Sequence, residues 1–184
     1  METAAVFAHL KEKFGEAVRE LVPPNADPVI VIDKARVHDI CRELRDARAL
    51  AFDYLISLSG LDLTDRLFMV YHLGSLTHHQ RLTLKAELSY ADAVIDTVSD
   101  LWPAANWHER EQYDMFGITF AGHPDLRRIL LPEDWVGHPL RKDYKFPDGY
   151  HGITATRPSP LEQFAAQDAA QNPSLASVPA GKQD

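Results

Sequence analysis

Between residues 79 and 88 the chain alternates, with Leu82, Leu84, Ala86 and Leu88 on one side and Arg81, Thr83, Lys85 and Glu87 on the other. Side chains of an extended strand point to opposite faces with a period of two, so this segment predicts a strand with one face on a core and one in water. No other feature restricts the fold as much. A sheet that is wet on one side needs a second layer over its apolar face. Further strands are at hand. Residues 67–73 are rich in bulky side chains on both faces, and residues 52–58 set Phe52, Tyr54, Ile56 and Leu58 at period two, with Ser59-Gly60 reading as the break. Residues 74–78 supply a turn, and the short connections predict antiparallel pairing of all three strands.

The covering layer reads as helical. In residues 3–21, Val6, Phe7, Leu10, Phe14, Val18 and Leu21 recur mostly at spacings of three and four, and Pro23-Pro24 ends the run. Residues 29–32 form a short strand. Asp33 caps a helix whose Val37, Ile40, Cys41 and Leu44 make one stripe, fading near Leu50. Residues 91–101 read as a short helix running toward Leu101-Trp102 and closed by Pro103. The expected architecture is therefore a two-layer α+β domain over residues 1–120, an antiparallel strand meander flanked by helices at both ends. An extended ribbon follows over 121–156. From Arg157 the chain turns to Pro, Ala, Gln and Ser, so 157–184 is expected as a disordered or partner-bound tail.

Composition closes several routes to function. A net charge of −8 opposes nucleic-acid binding, and even between His123 and Phe146 five bases are set against four acids. Cys41 is the only cysteine, which excludes an intrachain disulfide and a four-cysteine cluster or zinc site; beside Ile40 on the apolar stripe it reads as core. No run reaches the roughly 18 apolar residues of a membrane helix. Glu2 stands where a secretory signal would be basic, and the first residues lack the arginines of a transit peptide, so a bacterial cytoplasmic protein, or an already processed one, is expected. G-x-S-x-G, G-x-G-x-x-G and P-loop motifs are missing, leaving NADH, flavin and ATP without a visible cradle.

Charged residues, aromatics, Gly and Pro crowd between Asn106 and Phe146. A helix opens there, with Asn106 as N-cap, Glu109 completing a capping box, and Gly117 as the stop. Arg110 and Asp114, spaced i,i+4, can pair on one face. Glu109 and Glu111 diverge by about 200° at ~100° per residue, so they do not converge on one bond as paired-carboxylate catalysis requires. Gly122-His123-Pro124, Leu131-Pro132 and His138-Pro139 then favour extended backbone, and such a ribbon lies along a surface, its own domain's or a partner's. His108, His123, His138 and His151 follow at spacings of fifteen, fifteen and thirteen, which match no compact metal motif. Arg127, Arg128 and Arg141 can pair with carboxylates of another chain, with Trp107, Tyr113, Phe116, Trp135 and Tyr144 as aromatic anchors. A rival reading, a free-standing hydrolase using Glu109, Glu111 and His123, requires activity in the isolated chain.

With Glu109-Arg110-Glu111, the run Tyr113-Asp114-Met115-Phe116-Gly117, the run Gly122-His123-Pro124-Asp125-Leu126-Arg127-Arg128 and Leu130-Leu131-Pro132, the chain resembles the 30 kDa subunit family of respiratory complex I, in bacteria the proton-translocating NADH-quinone oxidoreductase. The wider resemblance runs from about Ala35 to Tyr144. It implies a structural subunit of the peripheral arm with no catalytic, cofactor or metal residue of its own. FMN, iron-sulfur clusters and quinone are then held by other subunits. It further implies partners among the quinone-site (49 kDa-type) and cluster-bearing subunits, and a peripheral position on the cytoplasmic side of the cell membrane. The interface residues it implies are Glu109, Arg110, Glu111, Tyr113, Asp114, Phe116, Gly117, Gly122, His123, Pro124, Asp125, Arg127 and Arg128, together with Trp135, His138, Pro139, Arg141, Lys142 and Asp143. An equivalent subunit of a membrane-bound hydrogenase or formate hydrogenlyase is the alternative.

Overall fold

A computed structural model describes residues 3–22 and 28–154. In chain order its elements are α1 (Thr3–Phe14), β1 (Val18–Val22), β2 (Val29–Ile32), α2 (Val37–Asp46), β3 (Tyr54–Asp62), β4 (Leu67–Ser75), β5 (Gln80–Leu88), β6 (Val94–Asp96), α3 (Ala105–Phe116) and β7 (Thr119–Ala121). The alternation of β5 does what it predicts. Leu82, Leu84, Ala86 and Leu88 lie directly opposite Leu73, Tyr71, Met69 and Leu67 of β4, and all eight side chains are buried. Full burial of a side chain the size of Leu contributes about 1.5–3 kcal/mol, so this ladder is the centre of the core. The opposite face carries Tyr54, Ile56, Arg81 and Lys85, with Lys85 lying 3.8 Å above the Phe68 ring.

The sheet is larger than a meander. It has five strands in the order β1-β2-β5-β4-β3, with β3, β4 and β5 antiparallel as expected, β1 antiparallel to β2, and β2 parallel to β5. A parallel pair needs a long crossover, which α2 and the β3–β4 hairpin provide. Ile30 and Ile32 thereby join the buried face beside Leu84 and Ala86.

Three local expectations are corrected. The first helix stops at Phe14 instead of running to residue 21: Gly15 takes φ +56°, and Val18–Val22 leaves as a strand that gains backbone bonds with β2. Val18 and Leu21 suit either spacing, and the sheet edge decides. Residues 91–101 are not a helix. Val94–Asp96 pairs in parallel with Thr119–Ala121, a partner too distant in sequence to be read locally, and Thr97 N–H extends the pairing to Ala121 O at 2.9 Å. Ser59-Gly60 does not break β3, and an irregularity between Leu55 and Ser57 shifts its faces so that Leu55 and Leu58 are buried while Tyr54 and Ile56 are exposed. Two expectations hold. Asp33 caps the 3-10 turn that leads into α2, accepting the Ala35 N–H at 2.9 Å, and Cys41 is buried.

Contacts divide the chain after Tyr144, so residues 121–144 group with the domain rather than apart from it. In the second unit Gly149–Tyr150 (β8) and Ile153–Thr154 (β9) pair antiparallel. The Pro23-Pro24 stop and the tail from Arg157 lie outside the described residues.

Candidate partner-binding surface

Three buried carboxylates hold α3 and the ribbon after it. The first, Glu109, is fully buried, accepting Val98 N–H at 2.7 Å and the Thr97 hydroxyl at 2.5 Å. The expected capping box does not form. α3 starts on backbone bonds, Ala105 N–H to Trp102 O at 2.9 Å, with Ala104 as a cap that makes no side-chain bond; Glu109 is then left to satisfy the loop after β6. Burial pushes its carboxyl up to about 7, against the Thr97 and Val98 hydrogen bonds that favour the charged form. His123 lies 3.9 Å from the same carboxylate. Its Nδ1 accepts Asp125 N–H at 3.0 Å, so the proton is on Nε2, which donates to Asn106 O at 3.2 Å.

Asp114, also fully buried, organises the ribbon. One of its oxygens accepts N–H from Ile129, Leu130 and Leu131 at 3.1, 2.8 and 2.9 Å, and the other accepts Arg128 at 2.8 Å. Burial works to raise its pKa, but the Leu131 and Leu130 amides, Arg128 and the Ile129 amide outweigh it and hold the carboxyl below its ordinary 3.8. The expected Arg110–Asp114 pair is therefore absent, because Asp114 is saturated by a segment fourteen to seventeen residues away. Arg110 instead donates to Arg127 O at 3.3 Å, lies 3.7 Å from Asp125 and stacks 5.0 Å over Trp107. Arg128, expected to reach another chain, is turned inward and also donates to Gly137 O at 3.2 Å.

The third carboxylate, Asp62 at the end of β3, was not legible in the sequence. It accepts Thr64 N–H at 2.7 Å, the Tyr90 hydroxyl, and Lys142 N–H at 2.8 Å from eighty residues away. Burial raises its pKa, yet the Tyr90, Lys142 and Thr64 hydrogen bonds leave it lowered, while burial and Asp62 push the Tyr90 hydroxyl up to about 12.

Between these anchors Gly117 and the ribbon close the C-terminal end of α3, whose last four carbonyls need partners. Tyr113 O accepts Gly117 N–H at 2.9 Å, Asp114 O accepts His138 Nδ1–H at 3.0 Å, Met115 O accepts Leu140 N–H at 3.1 Å, and Phe116 O accepts Arg141 Nε–H at 2.5 Å. Gly117 stops the helix as expected, at φ +68°, and a Cβ there would stand 2.5 Å from the His138 ring. Burial, with Arg141 and Arg128 nearby, lowers the His138 pKa despite its bond to Asp114 O.

Gln112 is a second functional side chain that the sequence did not disclose. Its Oε1 accepts Gly60 N–H at 2.7 Å and its Nε2 faces Leu58 O at 3.5 Å, so it covers the outer edge of β3. Gly60 lets α3 approach, because a Cβ there would meet the Phe116 ring at 2.8 Å. Only the period of α3, with Gln112 on the same turn as the buried Glu109, hinted at this.

Outward-facing residues include Trp107 at 63% exposure, Leu130, Val136 at 83%, Leu140, Pro132, Glu133, Asp134, Lys142, Asp143, Pro124 and Arg127, which pairs with the also exposed Asp125 at 3.0 Å. Gly122, at φ +79°, is exposed at the turn after β7. Glu111, Tyr113 and Pro139 are half-buried, Phe116 is buried, and Trp135 donates to Tyr144 Oη at 3.0 Å. Glu109, Glu111 and His123 do not converge on an open pocket, since Glu109 and the His123 side chain are fully enclosed. Among the described residues, no three His, Cys, Asp or Glu side chains are grouped to hold a metal, and no helix is long and apolar enough to cross a membrane.

Comparison with known proteins bears on this surface. A family described as "Respiratory-chain NADH dehydrogenase, 30 Kd subunit" matches residues 30–150, which include all three anchoring carboxylates. The chain is 48% identical over 147 residues to an NADH-quinone oxidoreductase subunit from Chloroherpeton thalassium, covering 78% of this chain and 61% of that relative. It is 44% identical over 156 residues to the protein of the same name from Chlorobium phaeobacteroides, covering 83% of this chain and 94% of the relative. The structure of a trypsin-resistant fragment of Nqo5 superposes with a TM-score of 0.58 at 31% identity, covering 68% of this chain and all of the fragment.

Proposed function

The chain belongs to the 30 kDa subunit family of the respiratory-chain NADH dehydrogenase, and from that premise we propose that it is a structural and assembly subunit in the peripheral arm of a proton-translocating NADH-quinone oxidoreductase. The complex moves electrons from NADH through FMN and iron-sulfur clusters to quinone, and this chain holds none of those groups. Its partners are the quinone-site and cluster-bearing subunits. It meets the cytoplasmic side of the cell membrane only through them.

The observation that carries this reading is the direction of the charges. Glu109, Asp114, Arg128 and Arg141 spend their hydrogen bonds on this chain's own backbone and side chains, fixing the shape of a ribbon that turns Leu130, Val136 and Leu140 outward beside Arg127, Lys142 and Asp143, with Trp107 of α3 also exposed. Such an arrangement presents a contact surface that mixes apolar and charged side chains. Cys41 cannot serve a cluster alone, and burial pushes its thiol well above the ordinary range. The test is purification of the tagged full chain from its own host in mild detergent, with identification of the chains that accompany it. Flavin- and cluster-bearing subunits are expected in fixed ratio. A chain that travels alone and oxidises NADH or hydrolyses esters by itself overturns the proposal.

A further inference from the structure

A cleft of 760 Å³ opens beside α3, between the start of α2, the β6–α3 connection and the turn after β7. Its walls carry Asp96, Asp100, His38, Asn106 and Trp107. We propose that it receives a basic side chain, Arg or Lys, projecting from another subunit of the same complex; the inference rests on the subunit reading above.

The Asp96 side chain is exposed and makes no hydrogen bond or ion pair among the described residues, although the carboxylates of Asp92, Asp100 and Glu109 are engaged. Asp100 is bound by His38 Nε2 at 2.9 Å. Arg42 donates to His38 Nδ1 at 3.1 Å, so Nε2 carries the proton that faces Asp100. Although burial raises the pKa of Asp100, the His38 hydrogen bond, with the fields of His38 and Arg42, outweighs it and leaves the pKa lowered. The lining therefore carries the carboxylates of Asp96 and Asp100 and no Lys or Arg, and a concave surface concentrates their field. Arg45 and Arg42 stand behind Asp100, Arg45 reaching the Asp100 and Leu101 carbonyls at 3.5 and 3.0 Å, so they orient that wall without entering the cleft.

Trp107 is the independent observation. Its indole is 63% exposed on the cleft wall, and its ring already accepts the Arg110 guanidinium at 5.0 Å. An aromatic ring beside an unpaired carboxylate is what a guanidinium or ammonium group takes up on leaving water, and exposed Trp is enriched at the centres of protein interfaces. Asn106 and Ser99 add polar groups for the backbone that carries the cation. A net charge of −8 on the whole chain steers such a partner toward it.

The complex is purified from cells expressing the tagged full chain with a photo-crosslinking residue at Ala121, on the cleft rim. Ultraviolet light is expected to join it to one subunit, at a peptide whose nearest residues include Arg or Lys. In parallel, Asp96→Lys combined with Trp107→Ala is expected to lower the yield of assembled complex roughly tenfold or more, as removal of an interfacial charge contact does. The Asp96→Asn variant lies between. The melting temperature of the full chain stays near wild type, because neither Asp96 nor Trp107 is buried. If the wild-type chain brings no other subunit, the subunit reading itself fails. If wild type assembles and the double variant assembles equally, or if the crosslink falls on a segment without a base, the cleft proposal is overturned while the subunit reading stands.

Discussion

The sheet and the ribbon that wraps α3 are secured by opposite chemistries. Across β4 and β5 the contacts are apolar and directly opposed, Leu67 with Leu88 and Leu73 with Leu82, and stability accrues in many small, interchangeable increments. Along the ribbon there is little to bury, since Leu130, Val136 and Leu140 face outward, and the backbone is fixed by Asp114 and Asp62, with Glu109 fixing the loop before α3. A core built by area tolerates repacking. A loop built on single buried carboxylates fails when one of them is lost, because each loss leaves at least two donors without partners.

The largest effect should follow Asp114→Ala, which strands three backbone amides and the Arg128 guanidinium. A loss of about 3–5 kcal/mol is expected, as for breaking one side of a buried pair. Leu84→Ala, with a cavity cost of about 2–5 kcal/mol, serves as the sheet counterpart. Hydrogen exchange separates the two. Asp114→Ala should release the Ile129–Leu131 amides while β4 and β5 stay protected, whereas Leu84→Ala should weaken both. Equal release of both regions by Asp114→Ala would erase the distinction. Because the Asp114 pKa is lowered from 3.8, its contribution is present above that pH and disappears as pH falls through the folded value.

Glu109 works in the opposite direction. Its folded pKa of about 7 lies above the ordinary 4.5, so the native state binds the proton more tightly and stability falls as pH rises from 4.5 through 7. The shift corresponds to roughly 3 kcal/mol. Glu109→Gln keeps an acceptor for Val98 N–H and cannot ionise, so it should flatten the pH dependence of the melting temperature and stabilise the chain at pH 8. A wild-type melting temperature that is level from pH 5 to 8, and unchanged by Glu109→Gln, would show the carboxylate to be better solvated than its enclosure indicates.

The same contrast explains what the sequence disclosed. The face of β5, the stripe of α2, the strand at β2 and the stop at Gly117 depend on neighbours within a few residues, and each was legible. β1 was not, since Val18 and Leu21 continue a helical spacing that Gly15 interrupts. β6 was missed because its partner, β7, comes 25 residues later in register. At the ribbon the residues were recognised but not their directions. Asp114 and Arg128 were singled out without any sign that they bind each other, and Glu109 reads as a capping residue until Thr97 and Val98 are seen against it. Hydrogen bonds between distant residues leave no period in the sequence.

Where the two regions meet, Gly60 and Gln112 give an intermediate effect. Gly60→Ala drives a Cβ to 2.8 Å from the Phe116 ring and 3.0 Å from Gln112 Oε1, and overpacking of this kind costs about 1–3 kcal/mol. Gln112→Ala, which leaves Gly60 N–H without its partner, costs about as much. Combining them sharpens the comparison. If α3 docks on β3 through this one contact, the double variant costs less than the sum of the singles; strict additivity, read from urea midpoints, would mean that the two residues act separately.

The smallest effect should come from Arg127→Ala, which isolates direction from residue type because its neighbour Arg128 is chemically identical. The Arg127 side chain is 66% exposed and meets only Asp125 through its charge, at 3.0 Å, whereas that of Arg128 is 15% exposed and bound to a buried carboxylate. An exposed pair contributes within about 0.5 kcal/mol, so the melting temperature of the full chain should barely move for Arg127→Ala. Arg128→Ala should lower it clearly, and Arg128→Lys should recover only part, since Nη1 and Nη2 reach Asp114 and Gly137 O from one planar group. Assembly reverses the ranking if the outward face is the partner surface. Arg127→Ala then reduces the amount of complex at unchanged stability, while the effect of Arg128→Ala on assembly follows its loss of folded chain. Should Arg127→Ala lower the melting temperature as far as Arg128→Ala does, the ribbon is held by its outer charges as much as by its buried ones, and the contrast with the sheet collapses.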